Sequence, residues 1–348
     1  MQTTQSKRSL ILHAPNIHIG GGLILLRDVL NTKSRSIRWA QVDERSKTTL
    51  DLPTQIKKHY VKNTIFSRLL AEYRLWYNAK STDSVLCFHG LPPLFPICGR
   101  VIVFVQNCIL LEKNKLTGYP LQTKLRIFFE RMWIKIIQRN SYRYIVQTPS
   151  MAIAAKRRLG NDLNVTVLPF MPSNDFLSQQ KKTKNKQKKF DFVYVASGEA
   201  HKNHLNLLET WCLLGEEGLK PSLALTVDPK LYPNLTRTIG RYEKLGLNIF
   251  NFEELQTTDV FDLYQSSAAL IYPSLAESFG LPLTEAHQLG LPILASERDF
   301  VRDILNPAQT FDPNSPLSIA RAVRRFLDAP EPTREMRSTD DFLKEVMK

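Results

Sequence analysis

Short runs of aliphatic and β-branched residues recur along the whole chain, each followed by a longer stretch with polar and apolar residues mixed at helical spacing. That alternation leaves few folds open. A strand that is apolar along its length is covered on both faces, and a helix-long connection returns the chain to start the next strand in parallel. The predicted strands are residues 9–13, 37–42, 85–89, 101–106, 144–147 and 165–168 in the first half. In the second half they are 190–195, 222–227, 247–252, 268–272 and 292–295. The pattern predicts an α/β chain of two successive, doubly covered parallel sheets, Rossmann-like and facing each other across a cleft. No fixed-period repeat interrupts it.

Charge divides the chain at the same place. Of the net +14 over 348 residues, residues 1–190 carry +22 and residues 191–348 carry −8. Residues 181–190 hold six lysines and no apolar face to bury, as a solvated linker or hairpin tip would. The expected organisation is a basic domain over 1–172, a lysine-rich linker over 173–189, an acidic domain over 190–330 and a helical tail over 331–348. Cys87, Cys98, Cys108 and Cys212 form no C-x-x-C pair and no metal-type spacing with histidine, which suits a reducing compartment. The apolar start at residues 10–13 is broken at once by Pro15, Asn16 and glycines, and no uncharged apolar run approaches ~18 residues. The expectation is a cytoplasmic protein without a leader or a membrane span.

The densest chemistry lies at residues 272–290, YPSLAESFGLPLTEAHQLG. Pro282 suits the first turn of a helix and pushes Leu281 out of the α region, so a helix starts there and stops at Gly290. Gly280 leaves the N–H groups at that start unshielded, which makes a phosphate site. Glu277 precedes the helix and Glu285 lies on it. Carboxylates accept paired hydrogen bonds from vicinal hydroxyls, so sugar and ribose are natural partners. Either glutamate alone reads equally as a helix-dipole or solvated loop charge.

With Tyr272-Pro273-Ser274 before it and Leu289-Gly290-Leu291-Pro292 after it, this segment resembles the E-x7-E signature of retaining GT-B glycosyltransferases, most closely glycosyltransferase family 4. The resemblance implies that Glu277 meets the donor sugar, Glu285 the ribose, and the backbone of Phe279, Gly280 and Leu281 the diphosphate. Upstream, Val195-Ala-Ser-Gly-Glu-Ala-His-Lys202 resembles the strand and loop that supply cations to the leaving diphosphate. Lys202 falls on the family lysine and Gly198 lies in the loop. Ser197 replaces the arginine, so His201, His204 or an arginine elsewhere has to assist. Phe252 follows the strand where the family holds the nucleobase. No D-x-D occurs, in keeping with a donor site that needs no metal.

In the first half, Gly20, Gly21 and Gly22 follow the first strand and open a helix. No G-K-[ST] follows, so this is not a P-loop. In the family a glycine-rich loop faces the donor from this position. Two strand ends address the same cleft: His89, a structural residue or the partner of the acceptor hydroxyl, and Gln106, where the family often has a second histidine. Residues 124–139, KLRIFFERMWIKIIQR, place Leu125, Phe129, Met132, Trp133 and Ile136 on one helical face and Lys124, Arg131, Lys135 and Arg139 on another. This is a core helix with a solvated charged face or, with the +22 charge, a contact with anionic lipid headgroups.

The resemblance thus implies a retaining, metal-independent glycosyltransferase with no cofactor. It would use a UDP- or GDP-linked sugar and a glycan or lipid-linked acceptor of polysaccharide or lipopolysaccharide type, peripherally at the cytoplasmic membrane face. An inactive GT-B-like binding or scaffold subunit and a UDP-sugar epimerase of the same fold are the alternatives. Nucleic acid is not an expected partner: pI ≈ 9.6 gives only non-specific affinity, and no nucleic-acid module is present.

Overall fold

The computed structural model describes residues 8–31, 37–50, 56–112, 116–172, 187–331 and 338–347. Two parallel sheets organise them. The first has seven strands in the order β3-β2-β1-β4-β5-β6-β7, comprising β1 (Ser9–Ala14), β2 (Ile37–Asp43), β3 (Lys57–Val61), β4 (Asp83–Cys87), β5 (Arg100–Phe104), β6 (Arg143–Val146) and β7 (Val165–Val167). The second has six in the order β10-β9-β8-β11-β12-β13, comprising β8 (Phe190–Tyr194), β9 (Leu223–Leu225), β10 (Ile249–Asn251), β11 (Ser267–Tyr272), β12 (Ile293–Ser296) and β13 (Gln309–Phe311). Every pairing is parallel, from Leu12↔Leu86 in the first sheet to Leu270↔Val193 in the second.

All eleven strands read from the sequence are present. β3 and β13 are additional, both short and at sheet edges. In each sheet the order reverses beside the first strand, β1 or β8, which opens a crevice at the carboxyl ends of the central strands. The helices that matter below are α1 (Gly20–Asn31), α2 (Ile65–Asn78), α3 (Leu121–Ile137), α4 (Pro149–Leu159), α5 (His204–Glu216), α6 (Pro233–Lys244), α7 (Thr257–Gln265), α8 (Leu281–Gln288), α9 (Asp299–Arg302), α10 (Pro316–Phe326) and α11 (Thr339–Val346). The second sheet has one continuous core around Phe192, Leu208, Trp211, Leu270 and Val323. The first is covered by separate clusters on its two faces, one around Val85, Val103 and Ile134 and one around Leu12, Leu26 and Phe88. Ala276, from the second half, belongs to the former, and Leu281 packs against the latter, so the loop before α8 is wedged into the first half.

The lysine-rich segment falls largely on residues 173–186, outside the described residues. The reading of α3 as a core helix needs correction. Its buried residues are Ile127 and Ile134, whereas Leu125, Phe129, Met132 and Ile136 are exposed. Periodicity found the amphipathic face, but the sheet covers a narrower stripe beside it. No helix among the described residues is long and apolar enough to cross a membrane.

Candidate functional site

Gly280 adopts φ +73, a left-handed conformation that costs L side chains roughly 1–2 kcal/mol, and it turns the chain from the Glu277 loop into α8. Glu277 is 8 % exposed. Its Oε1 accepts from Lys202 Nζ at 2.7 Å and from the Tyr272 hydroxyl at 2.8 Å. Lys202 ends the turn Ala200–Lys202 that follows β8. Tyr194 donates to the Lys202 carbonyl at 2.8 Å, and the Asn203 amide donates to the carbonyls of Pro273 and Pro313 at 3.1 and 2.7 Å. The lysine is therefore held by its neighbours from both ends. Burial pushes the Glu277 carboxyl up, but Lys202 and His201 outweigh it and hold it below its ordinary range. Burial pushes Lys202 down, and Glu277 outweighs that in the opposite sense. Both charged forms are favoured, as a paired, hydrogen-bonded buried ion pair requires.

Glu285 sits half-buried on α8, and Tyr264 on α7 donates to its Oε2 at 3.1 Å. Burial raises this carboxyl, and the single hydrogen bond offsets the rise only in part. The two glutamates, alike in sequence, thus differ in electrostatics.

Across the cleft, Gly20–Gly22 open α1. A Cβ on Gly21 would lie 3.0 Å from Leu281 Cδ1, so the starts of α1 and α8 meet. Each helix start carries the positive end of its dipole, and two such starts side by side suit a diphosphate. Gln106 stands beside Gly22; its Nε2 donates to Phe88 O at 2.6 Å, while its buried Oε1 has no partner. His89, two residues beyond β4, donates from Nδ1 to the His13 carbonyl at 3.3 Å and meets the His13 ring edge-on at 5.0 Å. Burial and then His13 lower His89 to about 3, so it is neutral, with Nε2 as an acceptor.

Behind it lies a cluster with no local sequence signal. The Gln41 amide donates to Ala71 O at 3.0 Å and to His13 Nδ1 at 3.3 Å, which leaves His13 Nε2–H to donate to Glu72 Oε1 at 2.9 Å. Glu72 Oε2 accepts from the Leu94 N–H at 2.8 Å. Burial pushes Glu72 up, and His13 and the Leu94 N–H bring it below its usual range. Ligand-type atoms of His13, Glu72 and His89 lie within 4.8 Å of one another. The His13 and Glu72 atoms that face inward already bond each other, so the group fits a hydrogen-bonded cluster better than a cation site.

The remaining sequence candidates divide. His201 joins the site: its Nδ1 accepts from the Tyr119 hydroxyl of the first half at 2.6 Å. Burial and then Lys202 lower its pKa, and burial and Glu199 raise Tyr119 to about 12. His204 does not join. It is buried against Tyr194 with neither ring nitrogen bonded, and burial lowers it to about 3, so it supplies no cation. Ser197, in place of an arginine, bonds Glu199. Gly198 lies beneath the Tyr232 ring, where a Cβ would come within 2.4 Å. Phe279 is buried, which leaves its backbone for a ligand. Phe252 lies on the edge-strand side with its ring 5.4 Å from Phe190. A cavity of about 650 Å³ opens beside Glu277, lined by Tyr119, Met151, Arg157, Arg158, His201 and Arg298.

Residues 175–340 match the family described as Glycosyl transferases group 1. The serotype-specific mannosyltransferase WbdA of Escherichia coli is 29 % identical over 149 residues, a match covering 39 % of this chain and 17 % of that protein. The chain thus matches about a sixth of the length of that relative. Among solved structures, HepE of Anabaena in complex with UDP and glucose aligns over 92 % of this chain and 90 % of its own, with TM-score 0.68 and 14 % identity. WaaG, described as a glycosyltransferase involved in lipopolysaccharide biosynthesis, aligns over 92 % and 90 % with TM-score 0.60 and 15 % identity. The chain has the GT-B fold, and its second half matches the group 1 glycosyl transferase family, as the residues around Glu277 and Glu285 led one to expect.

Proposed function

We propose that this protein is a retaining, metal-independent glycosyltransferase, with donor bound by residues 190–330 and acceptor by residues 1–172. The observation that carries the reading is the buried Glu277–Lys202–Tyr272 group at the meeting point of two glycine-bearing helix starts. In this reading Glu285 takes the ribose hydroxyls and Glu277 the hydroxyls of the donor sugar. Lys202 and the N–H groups of α1 and α8 take the diphosphate charge that develops as the sugar leaves. Two helix N-termini in contact supply the donors that the missing arginine at Ser197 would have given, and they do so without a metal ion.

The sugar–oxygen bond to the diphosphate breaks, the acceptor oxygen bonds the same face of the anomeric carbon, and the acceptor proton passes to the departing diphosphate oxygen. His89 Nε2, a neutral acceptor, holds the acceptor hydroxyl, and Gln106 orients the loop at Gly22. No carboxylate nucleophile is needed, and Glu277, already paired with Lys202, is poorly placed to be one. The relatives that act on sugars, WbdA and WaaG by their descriptions, support a polysaccharide- or lipopolysaccharide-type acceptor. The complex of HepE with UDP supports a nucleotide-sugar donor. Four free cysteines, two of them buried, suit the cytoplasm.

The test is thermal stabilisation by UDP-, GDP- and dTDP-sugars, followed by product analysis. Stabilisation by one nucleotide series, lost in Glu285→Ala, is expected. An inverted anomeric centre, or no transfer despite donor binding, would overturn the assignment.

A further inference from the structure

The cavity of about 650 Å³ beside Glu277 is walled by the loop after β5, by α4, by the turn after β8 and by the start of α9. None of Gly20–Gly22, Gly280, Leu281 and Glu285, which the donor reading assigns to diphosphate and ribose, lines it. A space of this size holds a whole small ligand. It also reaches toward His89. A Cβ on Gly90 would lie 3.6 Å from Leu110 Cδ1, and the neighbours of Leu110, Ile109 and Leu111, both line the cavity. The cavity thus borders the donor-sugar carboxylate and adjoins the loop that carries the acceptor-side histidine.

Its charges are unequal. Arg157 and Arg158 on α4 line it from the first half and Arg298 from the second. Arg131 stands behind them: its Nη2 donates to the carbonyls of Ile109 and Glu112, both at 2.7 Å, and it feels the charge of Arg158. Of the carboxylates on the walls, Glu277 is answered by Lys202, Glu112 stands beside Arg131, and Asp299 is exposed. Arg158 is half-buried, and its covered Nε has no hydrogen-bond partner among the described residues. Arg298 reaches Asp312 at 3.8 Å, a loose, solvent-facing pair. A covered donor without a partner is costly, and guanidinium groups gathered together repel, so an arriving anion relieves both. The start of α4 is not the attraction, because the Ser150 N–H already donates to Asp303 at 2.8 Å. Several guanidinium forks on one anion suit a phosphate, which offers more acceptor oxygens than a carboxylate. Met151, Leu275 and Phe300 give the same cavity an apolar wall for the C–H face of a sugar ring.

We propose that this cavity is the acceptor site and that Arg157, Arg158 and Arg298 select an acceptor sugar carrying a phosphate group, as a monoester or in a diphosphate linkage. This deepens the glycosyltransferase reading and rests on it for the role of the sugar as acceptor, whereas binding of the anion does not depend on it. The test is thermal stabilisation of the full chain at constant ionic strength, with UDP and GDP both in excess so that the diphosphate site is filled. The probes are inorganic phosphate, mannose 6-phosphate, the methyl ester of N-acetylglucosaminyl diphosphate, and neutral methyl mannoside. Phosphate and at least one of the two esters should stabilise, the tighter ester naming the linkage, and that ester should bind about 10- to 100-fold more tightly than the mannoside. Arg158→Gln/Arg298→Gln should abolish the difference while the shift given by UDP or GDP stays. Arg157→Gln/Arg298→Gln, which leaves the half-buried arginine in place, should reduce it. No stabilisation by any phosphate, a mannoside bound as tightly as the esters, or a phosphate effect that persists in both double variants would refute the proposal. If neither UDP nor GDP binds, the donor reading falls while the arginine variants still decide this one. If phosphate fails in a chain that a nucleotide stabilises, this inference alone falls.

Discussion

α10 over the second sheet and α3 over the first treat their apolar faces in opposite ways. On α10 every apolar residue of the inner stripe, Ile319, Ala320, Ala322 and Val323, is buried, while Arg325 of its last turn lies outside and Arg324 is partly covered beside Glu217. On α3 only Ile127 and Ile134 are buried, and a broader apolar arc than the one they occupy faces outward. Both sequences read as amphipathic. Amphipathicity states that a helix has an apolar face but not which surface will cover it. α10 spends its inner stripe on its own sheet, whereas α3 spends only a narrow part of its apolar arc there.

The sharpest way to break that contrast is at the charge pair. Lys202→Met leaves Glu277 buried without its cation and should cost ~3–5 kcal/mol of stability, with less lost when Glu277→Gln is added. Calorimetry on the single and double variants checks this, and equal losses would mean that the pair is not enclosed. Transfer by the folded Lys202→Met protein should fall ~10²–10³-fold. Next, Ile319→Ala on α10 should cost about 2–5 kcal/mol by denaturant titration. Phe129→Ala on α3, by contrast, should change stability by no more than about 0.5 kcal/mol. A comparable cost at both positions would dissolve the contrast between the halves.

Between these lies Glu285. Its removal should weaken donor binding by about 1.5–3 kcal/mol, read by calorimetric titration. In the proposed role its ionised form accepts the ribose hydroxyls, and its pKa in the free protein is raised by burial. Donor affinity should therefore be full above that raised value and decline as pH falls through it. Glu277 behaves in the opposite way: its pKa is lowered, so the stability it contributes is present above the ordinary glutamate value and is lost only as pH falls through the lowered one. Acidification should thus release donor before it unfolds the protein. A donor affinity flat down to the unfolding pH would rule out Glu285 as a ligand.

What the sequence revealed follows the range of the interactions. The start of α8 was legible because Gly280, Leu281 and Pro282 set it within three residues. Most strands were legible because burial on both faces makes them apolar throughout. β3 was missed because it is an edge strand opening on Lys57 and Lys58, and β13 because it is an edge strand whose Gln309 and Thr310 leave Phe311 as its single buried apolar residue. The predicted 85–89 and 101–106 ran past the true ends of β4 and β5, so His89 and Gln106 are loop residues just beyond their strands. The pairings Glu72 with His13, Glu285 with Tyr264 and Tyr119 with His201 bridge 59, 21 and 82 positions, and no local spacing encodes them.

One helix has two duties. α2 carries Glu72, which holds His13 behind the cleft, and on its other side Phe66, Tyr73 and Tyr77. A helix with its side chains is about 10–12 Å across. The cleft histidines therefore stand no more than roughly that distance from the outer surface of α2. Anything that packs on that outer face is thus one helix diameter from the histidine cluster, with Glu72 as the direct link between the two.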